Sequence, residues 1–205
     1  MVMTVAFFNQ FSGINLIGIY STSILGQLQE GFFKQPTINP IIGSACVGVA
    51  QLVGCLIAPV LLRVMGMRSI FIGGQTMMGL SLLSVGFSSK AQNSQASMVA
   101  ILAFLIIYQA TQGSYFWSYT AAVSTEAANS LASIVLWGSV LFMATCAHLI
   151  FATLGNSATF FVFSLLCFLG AIIFWIFMRE IKGLSREQQM SLYNSEIDSK
   201  LQLTD

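Results

Sequence analysis

The chain has 205 residues, of which 56% are hydrophobic and only 7% are charged, and its formal net charge is +1. Soluble domains carry about 25% charged residues, so a globule covered only by water is excluded and lipid must cover much of the surface. The net charge argues neither for nor against nucleic acid, but no basic run exists anywhere, so a nucleic-acid-binding face is not expected.

A bilayer core of about 30 Å takes about 20 apolar residues of helix. Six stretches reach that length, and mean hydropathy is +0.82. The first covers residues 3–25. It opens without a basic leader and is long enough to span, so it reads as a retained helix. It is also polar, with Asn9, Gln10, Ser12, Asn15, Tyr20, Ser21, Thr22 and Ser23. On one continuous helix, at about 100° per residue, Asn9, Ser12, Tyr20 and Ser23 share a face.

A connector with Glu30, Lys34 and Pro36 leads to the second stretch, 39–61. Its small residues Ser44, Gly48, Gly54 and Ala58 let helices approach closely in lipid. A short basic link, 63–68, precedes the third stretch at 69–88. The fourth, 97–122, is again polar, with Tyr108, Gln109, Thr111, Gln112, Ser114, Tyr115, Trp117, Ser118 and Tyr119. The fifth, 130–153, holds Trp137 and the sole histidine, His148, which reads as a hydrogen-bonded packing residue. A tight turn at Gly155-Asn156-Ser157 leads into the sixth, 158–178. The expected organisation is a six-helix transmembrane domain over 1–178 and a water-exposed tail over 179–205.

Six spans put both termini on one side. With the ends in the cytoplasm, every Lys and Arg except Lys34 and Lys90 lies inside, as the positive-inside bias requires. The expectation is a multi-pass protein of the plasma membrane or an endomembrane.

No Asp or Glu falls in the middle of a span, so no intramembrane proton or cation site is expected. The sequence holds no nucleophile–base set and no metal-ligand cluster, and no enzyme, cofactor or metal is expected. Cys46, Cys55, Cys146 and Cys167 sit in apolar stretches and read as packing or lipid-facing residues. Amides and hydroxyls facing lipid are costly, so those of the first and fourth spans are expected to face the bundle interior or a wet cavity. Uncharged amides beside aromatic rings suit a neutral, hydroxyl-rich solute. Hydrogen bonding between helices without any ligand explains the same residues equally well.

Three ordered motifs resemble one family. Residues 9–15, Asn-Gln-Phe-Ser-Gly-Ile-Asn, followed by Tyr20-Ser21-Thr22-Ser23, resemble the Q-Q-x-S-G-I-N…Y-Y-S seventh-helix segment of major facilitator sugar porters. Residues 179–187, Arg-Glu-Ile-Lys-Gly-Leu-Ser-Arg-Glu, resemble the P-E-T-K-G-L-S-x-E motif after the twelfth helix. Between them, Gly113 to Trp117 resembles the G-P-x-P-W of the tenth.

The resemblance implies an all-α membrane fold in which six helices form two inverted three-helix repeats, one half of a major facilitator carrier. It implies alternating-access transport of a hexose or related polyol. By similarity Asn9, Gln10, Asn15, Gln109, Trp117 and Trp137 would meet the sugar, and Tyr20 would belong to the outer gate. Arg63, Arg68, Glu180 and Lys182 would form a cytoplasmic charge network. The partners implied are a sugar, membrane lipid and an N-terminal six-helix half, from the same gene, from a separate chain or from a second copy.

The departures are specific. Asn9 is one methylene shorter than the first Gln of the pair, and Gly48 stands where the family places a sugar-binding Asn. Gln109 replaces a cavity or gate Glu. Both tenth-helix prolines are missing, at Ser114 and Phe116, and with them the usual cause of a helix break. A non-transporting membrane partner or sensor, a relic without transport, and a carrier of another neutral solute are the alternatives that these departures leave open.

Overall fold

A computed structural model of the chain describes residues 1–18 and 40–193. Helix α1 spans Val2–Gln10 and breaks at residues 11–13, and the chain is helical again over 14–18. Then follow α2 (Pro40–Val64), α3 (Met67–Lys90) and α4 (Ser94–Tyr108). A five-residue π-helical segment, Gln109–Gly113, continues α4 into α5 (Ser114–Val123). Helices α6 (Glu126–Leu154), α7 (Asn156–Phe177) and the short α8 (Arg186–Ser191) complete the order.

Five stretches among the described residues are long and apolar enough to cross a membrane: Ala45–Val64, Met67–Lys90, Gln95–Val123, Glu126–Leu154 and Asn156–Phe177. The first stretch is described as far as Gly18, as the shorter apolar helix Val2–Gly18. Its remainder, with Tyr20 and Ser23, lies outside the described residues.

Local chemistry explains the boundaries. The Asn93 side chain accepts the Ala96 N–H at 3.1 Å and caps α4, and Thr125 caps α6 through Ala128 N. Gly155 alone makes the corner between α6 and α7: its φ of +76° suits glycine, and its N–H closes on Phe151 O at 2.9 Å.

Small residues set the helix spacing. Helix α3 packs most extensively against α7, with Gly79 facing the Phe168 ring and Gly86 facing Phe161. A Cβ added at either glycine would stand 3.0 and 2.6 Å from those rings, so both positions need glycine for close approach. Ser164 reinforces the pair by donating to Gly79 O at 2.8 Å. Gly54 of α2 likewise lies against Ile106 O and the Gln109 side chain.

The buried interior divides into two apolar clusters with a polar layer between them. One holds Phe8, Phe71, Tyr115, Tyr119, Leu136 and Phe174. The other holds Ile14, Met78, Leu82, Phe104, Met143 and Phe163. On four elements, buried polar residues lie between the two clusters: Asn9, Gln10 and Ser12 on the first helix, Gln75 on α3, Thr111 and Gln112 in the π segment, and Ser139 on α6.

Candidate functional site

The first helix cannot be read as one continuous wheel. It turns at 11–13 because Gly13 adopts φ +89°, a conformation that disfavours side chains. The break changes which residues meet. Five residues apart on a regular helix, Gln10 and Asn15 would point about 140° away from each other. Here Asn15 Nδ2 donates to Gln10 Oε1 at 2.6 Å. Gln10 Nε2 then donates to Asn9 Oδ1 at 2.9 Å, and the Tyr108 hydroxyl donates to the same oxygen at 3.1 Å. Ser12 Oγ caps the Asn9 carbonyl at 2.7 Å. The result is a directional row, Asn15 to Gln10 to Asn9, closed by a phenol from α4.

The second wall is the π segment. The wider turn lifts the carbonyl of Gln109 out of the regular ladder, and Ser114 Oγ donates to it at 2.7 Å. The helix is therefore irregular at this point without either proline. Gln109 Nε2 donates to Cys55 Sγ at 3.1 Å and Cys167 Sγ donates to Ser12 O at 3.6 Å, so two cysteines of the set have polar partners in place of a purely packing role. Gly113 gives room for this arrangement, since a Cβ there would meet Gln109 Oε1 at 2.7 Å and the Tyr108 ring at 3.0 Å.

The structure brings Asn9, Gln10 and Asn15 together with Tyr108, and Gln109 follows Tyr108 in the chain. Trp117 and Trp137 stand apart from them. They are 46% and 62% exposed, and Trp117 packs edge-on against Phe116 at 4.9 Å. Tyr20 lies outside the described residues. His148 is exposed on α6 with no hydrogen bond among the described residues, which corrects its reading as a bonded packing residue.

The charged residues after α7 meet helix ends. Glu180 Oε1 accepts the N–H of Met67 at 2.9 Å, and its Oε2 accepts that of Arg68 at 3.1 Å, capping the N-terminus of α3. Lys182 Nζ donates to the carbonyls of Leu62, Arg63 and Met65 at 3.0, 3.0 and 3.2 Å, at the C-terminal end of α2. Each charge opposes the partial charge of the helix end it touches. The Arg68 guanidinium turns to Trp175 O at 2.6 Å, and Arg63 contributes its carbonyl, not its charge. The expected charge-to-charge network is therefore, among the described residues, a charge-to-backbone clasp.

Sequence reasoning missed Tyr193. Its hydroxyl accepts the Arg179 N–H at 2.7 Å, donates to Phe177 O at 3.2 Å and lies 3.0 Å from the Tyr119 hydroxyl. It also missed the burial of Gln75. A lone amide in a third span whose other polar residues are all hydroxyls was the signal that could have found it.

Residues 1–193 match the family model described as sugar (and other) transporter. The chain belongs to the sugar transporter family of the major facilitator superfamily. This family chain is 30% identical over 190 residues to the facilitated glucose transporter member 2 of Gallus gallus, covering 87% of the chain and 34% of that relative. It is 26% identical over 194 residues to the probable metabolite transport protein CsbC of Bacillus subtilis, covering 89% of the chain and 41% of the relative. It is also 23% identical over 193 residues to the facilitated trehalose transporter Tret1 of Anopheles gambiae, covering 88% and 24% respectively. The transporter-family chain thus spans less than half the length of these relatives. With its apolar helices, it is an integral, multi-pass membrane protein and not an enzyme.

Proposed function

We propose that the chain forms the C-terminal six-helix half of a carrier that moves a hexose or related polyol by alternating access. The observation that carries this reading is the row Asn15–Gln10–Asn9 with Tyr108, set at the level between the two apolar clusters. Its groups are neutral donors and acceptors, suited to hydroxyls that also donate and accept. Among the described residues no carboxylate lies at this level, which favours an uncharged solute.

A second six-helix half, from the same gene, a separate chain or a second copy, packs on the face that carries the exposed Trp117 and Trp137 and completes the cavity. The exposure of Trp117 and Trp137 in this half alone supports that arrangement, because a ring that meets a solute between two halves is uncovered in either one. The relatives' names, a facilitated glucose and a facilitated trehalose transporter among them, support a sugar as the cargo. Both termini lie in the cytoplasm, with Arg63, Arg68, Arg179 and Lys182 gathered at one end of the bundle and Lys90 at the other.

Proteoliposomes containing the complete gene product test the reading. Uptake of labelled hexose above that of empty liposomes, competed by unlabelled sugar and lowered by Gln10→Ala, is expected. Uptake no higher than the blank across hexoses, pentoses and polyols would count decisively against it. A carrier of another neutral solute is the second reading, favoured by the shortened Asn9 and by Gly48, which has open space around it where the family places an amide. Competition by non-sugar solutes alone would select it.

A further inference from the structure

Beside the amide row lie buried amide atoms that the row does not use: Nδ2 of Asn9 itself, and atoms of Gln75 and Gln112. Asn9, Gln75 and Gln112 are 1%, 0% and 0% exposed. Asn9 Nδ2, Gln75 Oε1 and both Nε2 and Oε1 of Gln112 have no protein partner. Three contacts bring their helices to one level. Gln75 Nε2 donates to Phe8 O at 3.2 Å, beside Asn9. The Tyr108 hydroxyl reaches Asn9 Oδ1 from one turn before Gln112. Thr111, next to Gln112, fills the space at Gly74, next to Gln75, where an added Cβ would stand 2.5 Å from Thr111 Oγ1.

The orientations of Gln75 and Asn9 are constrained, and for Gln112 both amide atoms are unspent either way round. Turning Gln75 over would set its carbonyl against Phe8 O, and Asn9 Oδ1 already accepts two donors. The unspent atoms are therefore two amide NH2 nitrogens, which donate, and two carbonyl oxygens, which accept. A buried amide left unpaired in a low-dielectric interior is strongly disfavoured. One water molecule offers two donors and two acceptors, and buried waters hold two to four such partners.

We infer that Asn9, Gln75 and Gln112 enclose an internal water site that ties α1, α3 and the π segment together on the side of Asn9 away from Gln10. The site takes a small neutral molecule able both to donate and to accept, and full burial of its three amides limits it to water. It does not depend on which solute the protein carries.

The complete protein in lipid nanodiscs, imaged at a resolution that shows ordered water, tests the site directly. A density peak within hydrogen-bonding distance of Gln75 Oε1 and of at least one atom of Asn9 or Gln112 is expected. The absence of such a peak overturns the inference. Thermal unfolding of Gln75→Met, Gln112→Met and the double variant tests it independently. Each single change is expected to lower the melting temperature, and the double change to lower it by clearly less than the sum, because both remove partners of one water. Strict additivity overturns the shared site.

Discussion

Glu180 caps a helix that begins 113 residues earlier in the chain: its Oε1 accepts the Met67 N–H at 2.9 Å. The same oxygen accepts the N–H groups of Ile181 and Lys182, both at 3.0 Å, so one carboxylate closes its own turn and the start of α3 together. Glu180→Ala is expected to lower stability by about 1–2 kcal/mol, the range for losing a cap and a charge at a helix N-terminus. Glu180→Gln, which keeps the acceptor oxygen, is expected to fall between wild type and Ala. Thermal unfolding in detergent is the measurement, and Gln equal to wild type would remove charge from the explanation.

Gly66 stands directly under that carboxylate. Its φ is −80°, so glycine is required here for space and not for conformation. A Cβ would collide with the Glu180 carboxyl group. Gly66→Ala is expected to expel the carboxylate and to destabilise at least as much as Glu180→Ala. The double variant is expected to be no worse than the more damaging single change, since the collision disappears with the side chain. Additive losses would show that Gly66 acts elsewhere.

Lys182 closes the other side of the same corner through three carbonyls of the α2 terminus. Lys182→Met keeps the stem and loses every donor, and is expected to destabilise by about 1 kcal/mol. Titration with salt separates the roles. A purely long-range charge effect would vanish in high salt, whereas direct bonds to carbonyls would persist in part.

For the amide row, each neutral hydrogen bond contributes about 0.5–1.5 kcal/mol net, or about 2- to 12-fold in affinity. On the proposed function, Gln10→Ala and Asn15→Ala each weaken sugar binding within that range, read from concentration-dependent uptake. Tyr108→Phe keeps the ring, removes one of the two donors to Asn9 Oδ1 and is expected at the low end. An unchanged uptake curve in all three would place the solute elsewhere.

Gly13 holds the row in shape. Ala at φ +89° is strained by about 1–3 kcal/mol, and its methyl would touch the Phe163 ring at 3.4 Å. Gly13→Ala is expected to lower the melting temperature and to weaken sugar binding together.

Much of the architecture was legible in the residues alone, because membrane insertion depends on summed hydropathy over about 20 residues and tolerates local detail. The apolar runs, the polar character of the first and fourth spans, and the family motifs at 9–15 and 179–187 belong to that level. So does the clustering of Arg and Lys near the ends of α2 and α7, which needs only the order of spans. Partners across the bundle needed the tertiary structure. Glu180 and Lys182 bind backbone at helix ends, and every residue carries backbone, so no pattern of charges could name Met67 or Leu62. The break at Gly13 and the π turn at Gln109–Gly113 rearrange neighbours by less than one helical turn, below what a periodic reading separates. Whether an amide is buried depends on which helix covers it, and that decided the fates of Gln75 and Gln112.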